Sequence, residues 1–316
     1  MVEETLDDAP ERILAELSEV IVGKREALET TLLAVLSGGH VLIEDYPGLA
    51  KTLLAKSLAS ALGLDFKRVQ FTPDLLPADI TGSYVLDRSK STFELRKGPI
   101  FTNMLLADEV NRAPPRTQSA LLEAMQEKQV TIEGESLRLA DPFIVVATQN
   151  PIEYEGTYPL PEAQLDRFLV KISVGYPSSG DEVQILKNRN IAKSDQVTVR
   201  RAVTQEELMA MQARVEGIFV EDAVAAYIVE IVRKTREHRD VEVGASPRGS
   251  LAMMKLAKAR AYLNRRNYLV PDDVKAIAVA ALGHRLVLKA EGWMRGKKAN
   301  SIIEEVLQTV PVPKVG

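Results

Sequence analysis

The sequence predicts an α/β domain with a mainly parallel sheet, followed by an α-helical domain. As far as residue 174, short apolar runs typical of buried strands alternate with amphipathic segments typical of helices. A Pro-Ser-Ser-Gly segment at 177–180 then gives the clearest linker signal in the chain. Beyond it the pattern is helical only. We therefore expect a core α/β domain over residues 1–177 and an all-α domain over residues 178–316.

Each element is predicted from its own periodicity. In chain order the first domain has helices at 10–22 and 25–36, a strand at 41–43, a helix at 52–62, a strand at 66–71, a hairpin with strands at 83–86 and 92–95, a strand at 103–107, a helix at 116–128, a second hairpin with strands at 129–132 and 136–139, a strand at 143–147, a helical turn at 162–168 and a strand at 169–174. The second domain has helices at 181–190, 205–217, 221–236, 247–263, 271–282 and 300–310.

Composition limits the classes of protein to consider. The chain has 316 residues, enough for two domains, and 46% hydrophobic with 27% charged residues is typical of a soluble globular protein. A net charge of −4 gives no general attraction to nucleic acid or to an anionic membrane. The absence of cysteine excludes disulfides and thiolate sites and is compatible with a cytoplasmic protein. No apolar run approaches the ~18 residues of a transmembrane helix.

The first candidate site is the loop between the predicted strand 41–43 and the helix that begins at Thr52. Pro47 and Gly48 predict a tight turn there, and Lys51-Thr52 follows at the start of the helix. This order of strand, loop, Lys-Thr and helix is typical of phosphate binding: Lys51 would reach the β- and γ-phosphates and the Thr52 hydroxyl would ligate Mg²⁺. The match to G-x-x-x-x-G-K-[ST] is imperfect, since Asp45 and Ala50 replace the two glycines. An ordinary βα turn with a lone lysine is the alternative.

Two further motifs follow buried strands. Asp108-Glu109 ends the apolar run 104–107, so that Asp108 could join a Mg²⁺ shell and Glu109 could orient and deprotonate water. A pair of capping acids is the alternative. Asn150 follows the strand at 143–147 by three residues, and its amide could bind the γ-phosphate or the attacking water. The alternative is a turn-forming Asn before Pro151. The occurrence of these motifs together favours a nucleotide site.

With these motifs, the chain from about residue 21 to about residue 286 resembles the AAA+ ATPases, in particular the MoxR family. Residues 45–52 resemble the Walker A loop, 105–109 Walker B, 147–151 sensor 1 and 244–248 sensor 2, and Leu-Pro-Glu-Ala-Gln-Leu-Asp-Arg-Phe at 160–168 is the most family-specific stretch. The departure from the pattern is Asp45, which replaces the first Walker A glycine.

The resemblance implies ATP and Mg²⁺ as ligands and assigns further residues. It implies that Arg167 is the arginine finger, that Arg248 lies on the helical lid facing the nucleotide, and that Val22 and Gly23 contact adenine. The residues expected along the phosphates are Tyr46, Pro47, Gly48, Leu49, Ala50, Lys51, Thr52 and Leu53. On composition alone both arginines could equally be solvated surface charges.

The two predicted hairpins also agree with the family. The resemblance places an insert at about 81–96 and a second hairpin at 129–139, both lining the central pore of a ring; two ordinary surface hairpins are the alternative. The tip residues Lys90, Glu133 and Glu135 are mixed in charge, which weakens a DNA-tracking role. His40, His238 and His284 share no motif spacing and are expected to be structural, whereas Trp293 fits either a core anchor or a partner contact.

The resemblance therefore predicts a Mg²⁺-dependent ATPase that works as a homo-hexamer. It would drive chaperone-like remodelling or maturation of partner proteins, including cofactor or metal insertion, together with a von Willebrand factor A domain protein. A chelatase-type motor subunit is the first alternative, and a requirement for a porphyrin-binding partner would reveal it. A DNA helicase-like motor is the second, and basic pore hairpins would support it. A scaffold without hydrolysis is disfavoured by Glu109.

Overall fold

A five-stranded parallel sheet organises the computed structural model, which describes residues 6–152, 157–193 and 198–314. Its strands, in spatial order, are β2 (Phe66–Gln70), β5 (Met104–Asp108), β8 (Ile144–Gln149), β1 (Val41–Glu44) and β9 (Val170–Ile172). Val41 is paired with Val146 on one side and with Val170 on the other, so β1 lies inside the sheet. The confirmed fold class is therefore a parallel α/β sheet with a helical C-terminal region.

The remaining elements surround this sheet. The helices are α1 (Ala9–Val20), α2 (Arg25–Leu36), α3 (Lys51–Ala61), α4 (Pro77–Thr81), α5 (Pro115–Glu127), α6 (Glu162–Leu165), α7 (Ser179–Ala192), α8 (Gln205–Glu216), α9 (Asp222–Glu237), α10 (Pro247–Leu263), α11 (Pro271–Leu282), α12 (Ala290–Met294) and α13 (Ala299–Thr309), with a short 3₁₀ helix at Val110–Arg112. The other strands form the hairpins β3 (Gly82–Asp87) with β4 (Thr92–Lys97) and β6 (Gln129–Ile132) with β7 (Glu135–Arg138), and the pair β10 (Val241–Val243) with β11 (Val287–Leu288).

Both faces of the sheet are covered, which explains why its central strands are continuously apolar. All five residues of β5 are buried. Val41 and Ile43 join a hydrophobic cluster that also contains α1, α2, α3 and residues of α8 to α11 and α13, whereas Leu42 joins a second cluster with α5 and the β6–β7 hairpin. The C-terminal helices therefore share one core with a face of the sheet.

The differences from prediction occur at element ends and in short elements. The expected linker at 177–180 is partly the start of α7, because the Ser178 hydroxyl caps the helix by accepting from the Asp181 amide. No element was predicted between the strand at 66–71 and the first hairpin, yet α4 begins at Pro77. Only helices were predicted in the second domain, but the structure also has the antiparallel strand pair β10–β11 there. Three-residue and two-residue strands are too short to give a periodic signal.

The two predicted hairpins are confirmed as hairpins, and they contact each other. The Tyr84 hydroxyl on β3 donates to the Glu135 carboxylate on β7 at 2.5 Å. Toward the tip of the first hairpin Leu86 and Phe93 are cross-strand partners, and Phe93 is 70% exposed. No helix among the described residues is both long enough and apolar enough to cross a membrane.

The three histidines and the tryptophan can now be placed. His40 and His284 are buried and contact the backbone carbonyls of Met125 and Phe168, as expected of structural residues. His238 contacts Glu305 at 3.3 Å. Trp293 is 74% exposed in α12, so it is not a core anchor.

Candidate active site

The carboxyl ends of β1, β5 and β8 bring the predicted site residues together. These strands are neighbours and run parallel, so their carboxyl ends meet at one edge of the sheet. The phosphate loop follows β1, Asp108 ends β5, and Asn150 follows β8. We call this the carboxyl edge. Ligands in open α/β sheets bind outside this edge.

The phosphate loop has the backbone geometry of a tight turn into a helix. Gly48 has φ 82° and Ala50 has φ 54° and ψ 19°, so both adopt the left-handed conformation. Ala50 caps α3 without a side-chain hydrogen bond, which leaves the first amides of the helix available to an anion. The Lys51 ammonium folds back on the loop and donates to the carbonyls of Asp45 and Tyr46, at 2.5 and 3.1 Å.

The structure explains why an aspartate, Asp45, stands where the Walker A pattern has its first glycine. Its buried carboxylate accepts from the amides of Val174 and Gly175 at 2.6 and 2.7 Å, and from the Ser173 hydroxyl at 3.1 Å. Hydrogen bonds to a carboxylate are the strong class. A glycine could not make them, so Asp45 ties the phosphate loop to the segment that follows β9.

Asp108 is already paired with a cation. The Arg68 guanidinium contacts its Oδ2 through Nε at 3.1 Å and through Nη2 at 2.7 Å, and the Thr148 hydroxyl donates to Oδ1 at 2.5 Å. The Thr52 hydroxyl lies 3.5 Å from the same Oδ2. A carboxylate beside a hydroxyl is a donor set that fits Mg²⁺, which commonly takes one or two protein oxygens and completes its shell with water and phosphate oxygens.

Glu109 is held by two side chains and by an unusual backbone. Gln70 donates to its carboxylate at 2.6 Å and Arg112 at 2.8 Å. Its φ of 57° and ψ of 49° lie in the left-handed region, and its amide donates to the Thr148 hydroxyl. Left-handed conformations cost free energy for residues other than glycine and occur often at functional sites.

Sequence reasoning missed the partners Arg68, Gln70, Arg112 and Thr148. A signal was present in β2, where Arg68 and Gln70 are two residues apart and therefore share a face of the strand. Asn150 is buried at the same edge, and its side-chain oxygen accepts from the Ile152 amide at 3.2 Å. In this structure Asn150 therefore makes the turn-forming contact that was the alternative to phosphate or water binding.

The predicted adenine segment lies near the phosphate loop. Lys24, which follows Gly23, donates to the Tyr176 carbonyl at 2.7 Å, and the Tyr176 ring lies 6.1 Å from that of Tyr46. Gly23 has φ 74°, and a Cβ there would overlap the Asp181 carboxylate. The positive φ would strain any residue that has a Cβ, so glycine suits this position beside the start of α7.

The two candidate arginines lie at the other end of the sheet. Arg167 comes just before β9, so it lies where the strands begin, which we call the amino edge. Gly39, which comes just before β1, marks the same edge. A cavity of about 340 Å³ at this edge is lined by Gly39, Lys128, Arg167, Arg248 and Lys255, among others. Arg248, which the resemblance places on the helical lid facing the nucleotide, lines this cavity together with Arg167. One chain thus brings together Lys51, Thr52, Asp108, Glu109 and Asn150 and separates them from Arg167 and Arg248.

The comparisons with known proteins agree with this geometry. The sequence profile of the ATPase family associated with various cellular activities (AAA) matches residues 40–170, and that of the AAA lid domain matches residues 233–306. The chain is 49% identical to an uncharacterised protein, YeaC, of Bacillus subtilis over 94% of this chain and 92% of that protein. It is 42% identical to Chaperone MoxR1 of Mycobacterium tuberculosis over 96% of this chain and 82% of that protein.

A crystal structure of a candidate ATPase from Cytophaga hutchinsonii superposes on the chain with a TM-score of 0.91. The two chains are 40% identical, and the match covers 99% of this chain and 98% of the other. Family profile, relatives, structure and the order of strand-end motifs all lead to one assignment. The chain belongs to the MoxR family of AAA+ ATPases.

Proposed function

We propose that this chain hydrolyses ATP in a homo-oligomeric ring, in which each site is completed by the neighbouring subunit. The observation that supports this is the separation of the candidate residues between two edges of one sheet. Lys51, Asp108 and Glu109 lie at the carboxyl edge, and Arg167 lies at the amino edge. An arginine at the amino edge can serve a phosphate only if that phosphate belongs to another subunit.

In the proposed reaction, Lys51 leaves the carbonyls of its own loop and binds the β- and γ-phosphates. Thr52 and Asp108 would hold Mg²⁺, which supplies charge neutralisation at the phosphate oxygens. Glu109 accepts a proton from the attacking water, and for this it must give up at least one of its contacts with Gln70 and Arg112. Asn150 is proposed to orient the same water or the γ-phosphate.

The neighbouring subunit supplies positive charge to the γ-phosphoryl group. Arg167 is the proposed arginine finger, a role worth roughly 10³–10⁵ in rate in the enzymes that use one. Arg248 lines the same cavity, so we assign it to the same donated surface rather than to the site of its own chain. Val22, Gly23 and the loop residues from Tyr46 to Leu53 remain the proposed contacts of adenine and phosphates.

The work done by this hydrolysis is proposed to be remodelling of a partner protein. The family assignment and the relative named as a chaperone support this class of function. The hairpin β3–β4, with Leu86 and Phe93 exposed, offers an apolar surface for a client. We retain a hexamer, a von Willebrand factor A domain partner, metal or cofactor insertion and cytoplasmic location as parts of the proposal, with domains at 1–177 and 178–316.

Mixing two inactive variants tests the proposal. Lys51→Ala should lose ATP binding, because a charge-assisted contact with the phosphates is removed. Arg167→Ala should bind ATP and hydrolyse it poorly. A mixture should recover activity, because it contains interfaces where an intact Lys51 site faces an intact Arg167. The measurement is steady-state phosphate release from rings shown to be mixed by native mass spectrometry.

Each variant alone at the same total concentration is the control. Parent activity that does not depend on protein concentration, together with no recovery in mixed rings, would contradict the proposal. Arg167 would then be a surface residue of a monomeric ATPase.

A further inference from the structure

A chain of direct hydrogen bonds connects the two arginines of the amino edge. Asp166 is the residue before Arg167, and its Oδ2 accepts from the Ser246 hydroxyl at 3.1 Å. The same hydroxyl accepts from the backbone amide of Arg248 at 3.1 Å and thereby caps α10. One carboxylate and one hydroxyl therefore link the backbone of Arg167 to that of Arg248.

A buried arginine fixes the other side of this link. The Arg285 guanidinium, only 3% exposed, donates from Nε to Asp166 Oδ1 at 2.7 Å. Its other nitrogens contact the carbonyls of Phe168 at 2.7 Å and Leu169 at 3.3 Å, which follow Arg167 in the chain. Arg285 comes just after α11 and thus belongs to the helical region. The backbone around Arg167 is clamped to that region on both sides.

The Arg167 side chain itself has little to hold it. Its buried Nε has no hydrogen-bond partner among the described residues, and neither its guanidinium nor that of Arg248 forms an ion pair there. With no such contact to fix the side chains, the place from which each arginine reaches out is set by the backbone segment that carries it. Those segments are the ones that Asp166, Ser246 and Arg285 join.

We propose that Asp166, Ser246 and Arg285 are positioning residues that hold Arg167 and Arg248 as one unit, so that a neighbouring subunit's nucleotide meets both arginines together. This inference rests on the proposed function, since it takes the arginines to act on a neighbour. Its consequence is directional: loosening the unit impairs the subunit that donates the arginines and spares the subunit that binds ATP.

The obvious variant, Asp166→Asn, would leave Arg285 buried without its counter-charge and could prevent folding. Ser246→Ala is the better probe, because it keeps that ion pair and removes the link between Asp166 and α10. The lost hydroxyl is also the cap of α10, so the variant should lose about 1 kcal/mol of stability. Thr204→Ala is the matched control: Thr204 caps α8 by accepting from the Glu207 amide at 3.2 Å, and it has no contact with Asp166.

The mixture of Arg167→Ala and Lys51→Ala subunits separates the two roles. In it, the Lys51→Ala subunit donates the arginines and the Arg167→Ala subunit binds ATP. Ser246→Ala placed in the donor should lower the recovered kcat about 5- to 10-fold. Placed in the ATP-binding subunit it should leave kcat unchanged. Thr204→Ala should have no effect in either subunit, and ATP affinity should not change in any mixture.

Two further variants extend the test. Ser246→Thr keeps both hydrogen bonds and should restore kcat. Arg285→Lys keeps the charge but cannot span the Asp166 carboxylate and the Phe168 carbonyl, so it should repeat the loss in the donor alone. Equal losses in both placements, or no loss in either, would overturn the inference while the proposed function stands. No recovery in the unmodified mixture would reject the proposed function, and the inference with it.

Discussion

The two edges of the sheet differ in how their charges are satisfied. At the carboxyl edge Asp108 is paired with Arg68, Glu109 with Arg112, and Lys51 with its own loop carbonyls. At the amino edge, within the described residues, Arg167 and Arg248 form no ion pair, although a shared cavity brings them together. Under the proposed function, the first set would exchange these contacts for a ligand, and the second set would act on a group outside the chain. We infer that one edge receives nucleotide and the other acts on a neighbour.

The largest expected effect that tests this comparison is at Glu109. Glu109→Gln keeps the size of the side chain but removes the proposed base, so kcat should fall at least about 100-fold. The proposed Mg²⁺ ligand Asp108 is unchanged in this variant, and ATP affinity should stay within about twofold in a fluorescent-nucleotide titration. Both quantities are measured at the same protein concentration for the parent and the variant.

Glu44→Gln is the control for this prediction. Glu44 ends β1 at the same edge, pairs with Lys171 at 2.8 Å and accepts from the Gln149 side chain, and it is not among the proposed catalytic residues. Its replacement should leave kcat near the parental value. Parental turnover in Glu109→Gln would mean that Glu109 is only a strand-end acid and that the carboxyl edge does not hold the catalytic base.

The carboxyl edge was predictable from sequence because its residues follow strands in short local motifs. That Lys51, Asp108 and Asn150 lie at one edge follows from a single rule, which is that the carboxyl ends of parallel strands meet at the same edge of a sheet. The role of Asp45 was not predictable, since its partner Gly175 is 130 positions away in the chain. The position of Arg248 was not predictable either, because it depends on how the helical region is attached. That attachment includes the Arg285–Asp166 contact across 119 positions.

A second prediction concerns the loss of folding stability at low pH, which should arise from two buried histidines near the amino edge, His40 and His284. His40 precedes β1, with Nε2 contacting the Met125 carbonyl and Nδ1 accepting from the Val145 amide, both at 3.0 Å. The pKa of His40 is lowered from 6.5 to about 4, mainly because the ring is buried; the Met125 contact opposes this shift, and the charge of nearby Lys128 adds to it. Burial and Arg285 also lower the pKa of His284 well below its usual value.

The sign of the pH effect follows from these pKa shifts. Between pH 6.5 and about 4 the unfolded chain binds a proton at His40 that the folded chain does not, so the free energy of unfolding decreases as the pH falls. His40 alone should contribute a loss of about 2 kcal/mol between pH 7 and pH 5. Urea unfolding of the parent and of His40→Gln measures it. The variant should be less stable at pH 7 but lose less stability on acidification; an equal loss would contradict the assignment.

The smallest expected effect is at Arg68, and it tests whether the carboxyl edge is held by an internal cation until ligand arrives. The Arg68 guanidinium contacts the Asp108 oxygen that lies 3.5 Å from the Thr52 hydroxyl, so under the proposed function it would compete with Mg²⁺ for the same carboxylate. The Arg68 side chain is 49% exposed, and such ion pairs contribute roughly 0.2–1 kcal/mol.

Arg68→Gln should therefore lower the Mg²⁺ concentration needed for half-maximal nucleotide binding by about two- to fivefold. Lys67→Gln is the matched control, because it removes the adjacent positive charge of β2 without a contact to Asp108. The measurement is a Mg²⁺ titration of nucleotide binding at constant ionic strength. A higher Mg²⁺ requirement in Arg68→Gln would mean that Arg68 assists the bound nucleotide. In that case the Arg68–Asp108 ion pair would persist when nucleotide is bound. The two edges would then differ only in the positions of Arg167 and Arg248, and no longer in whether their charges must exchange partners.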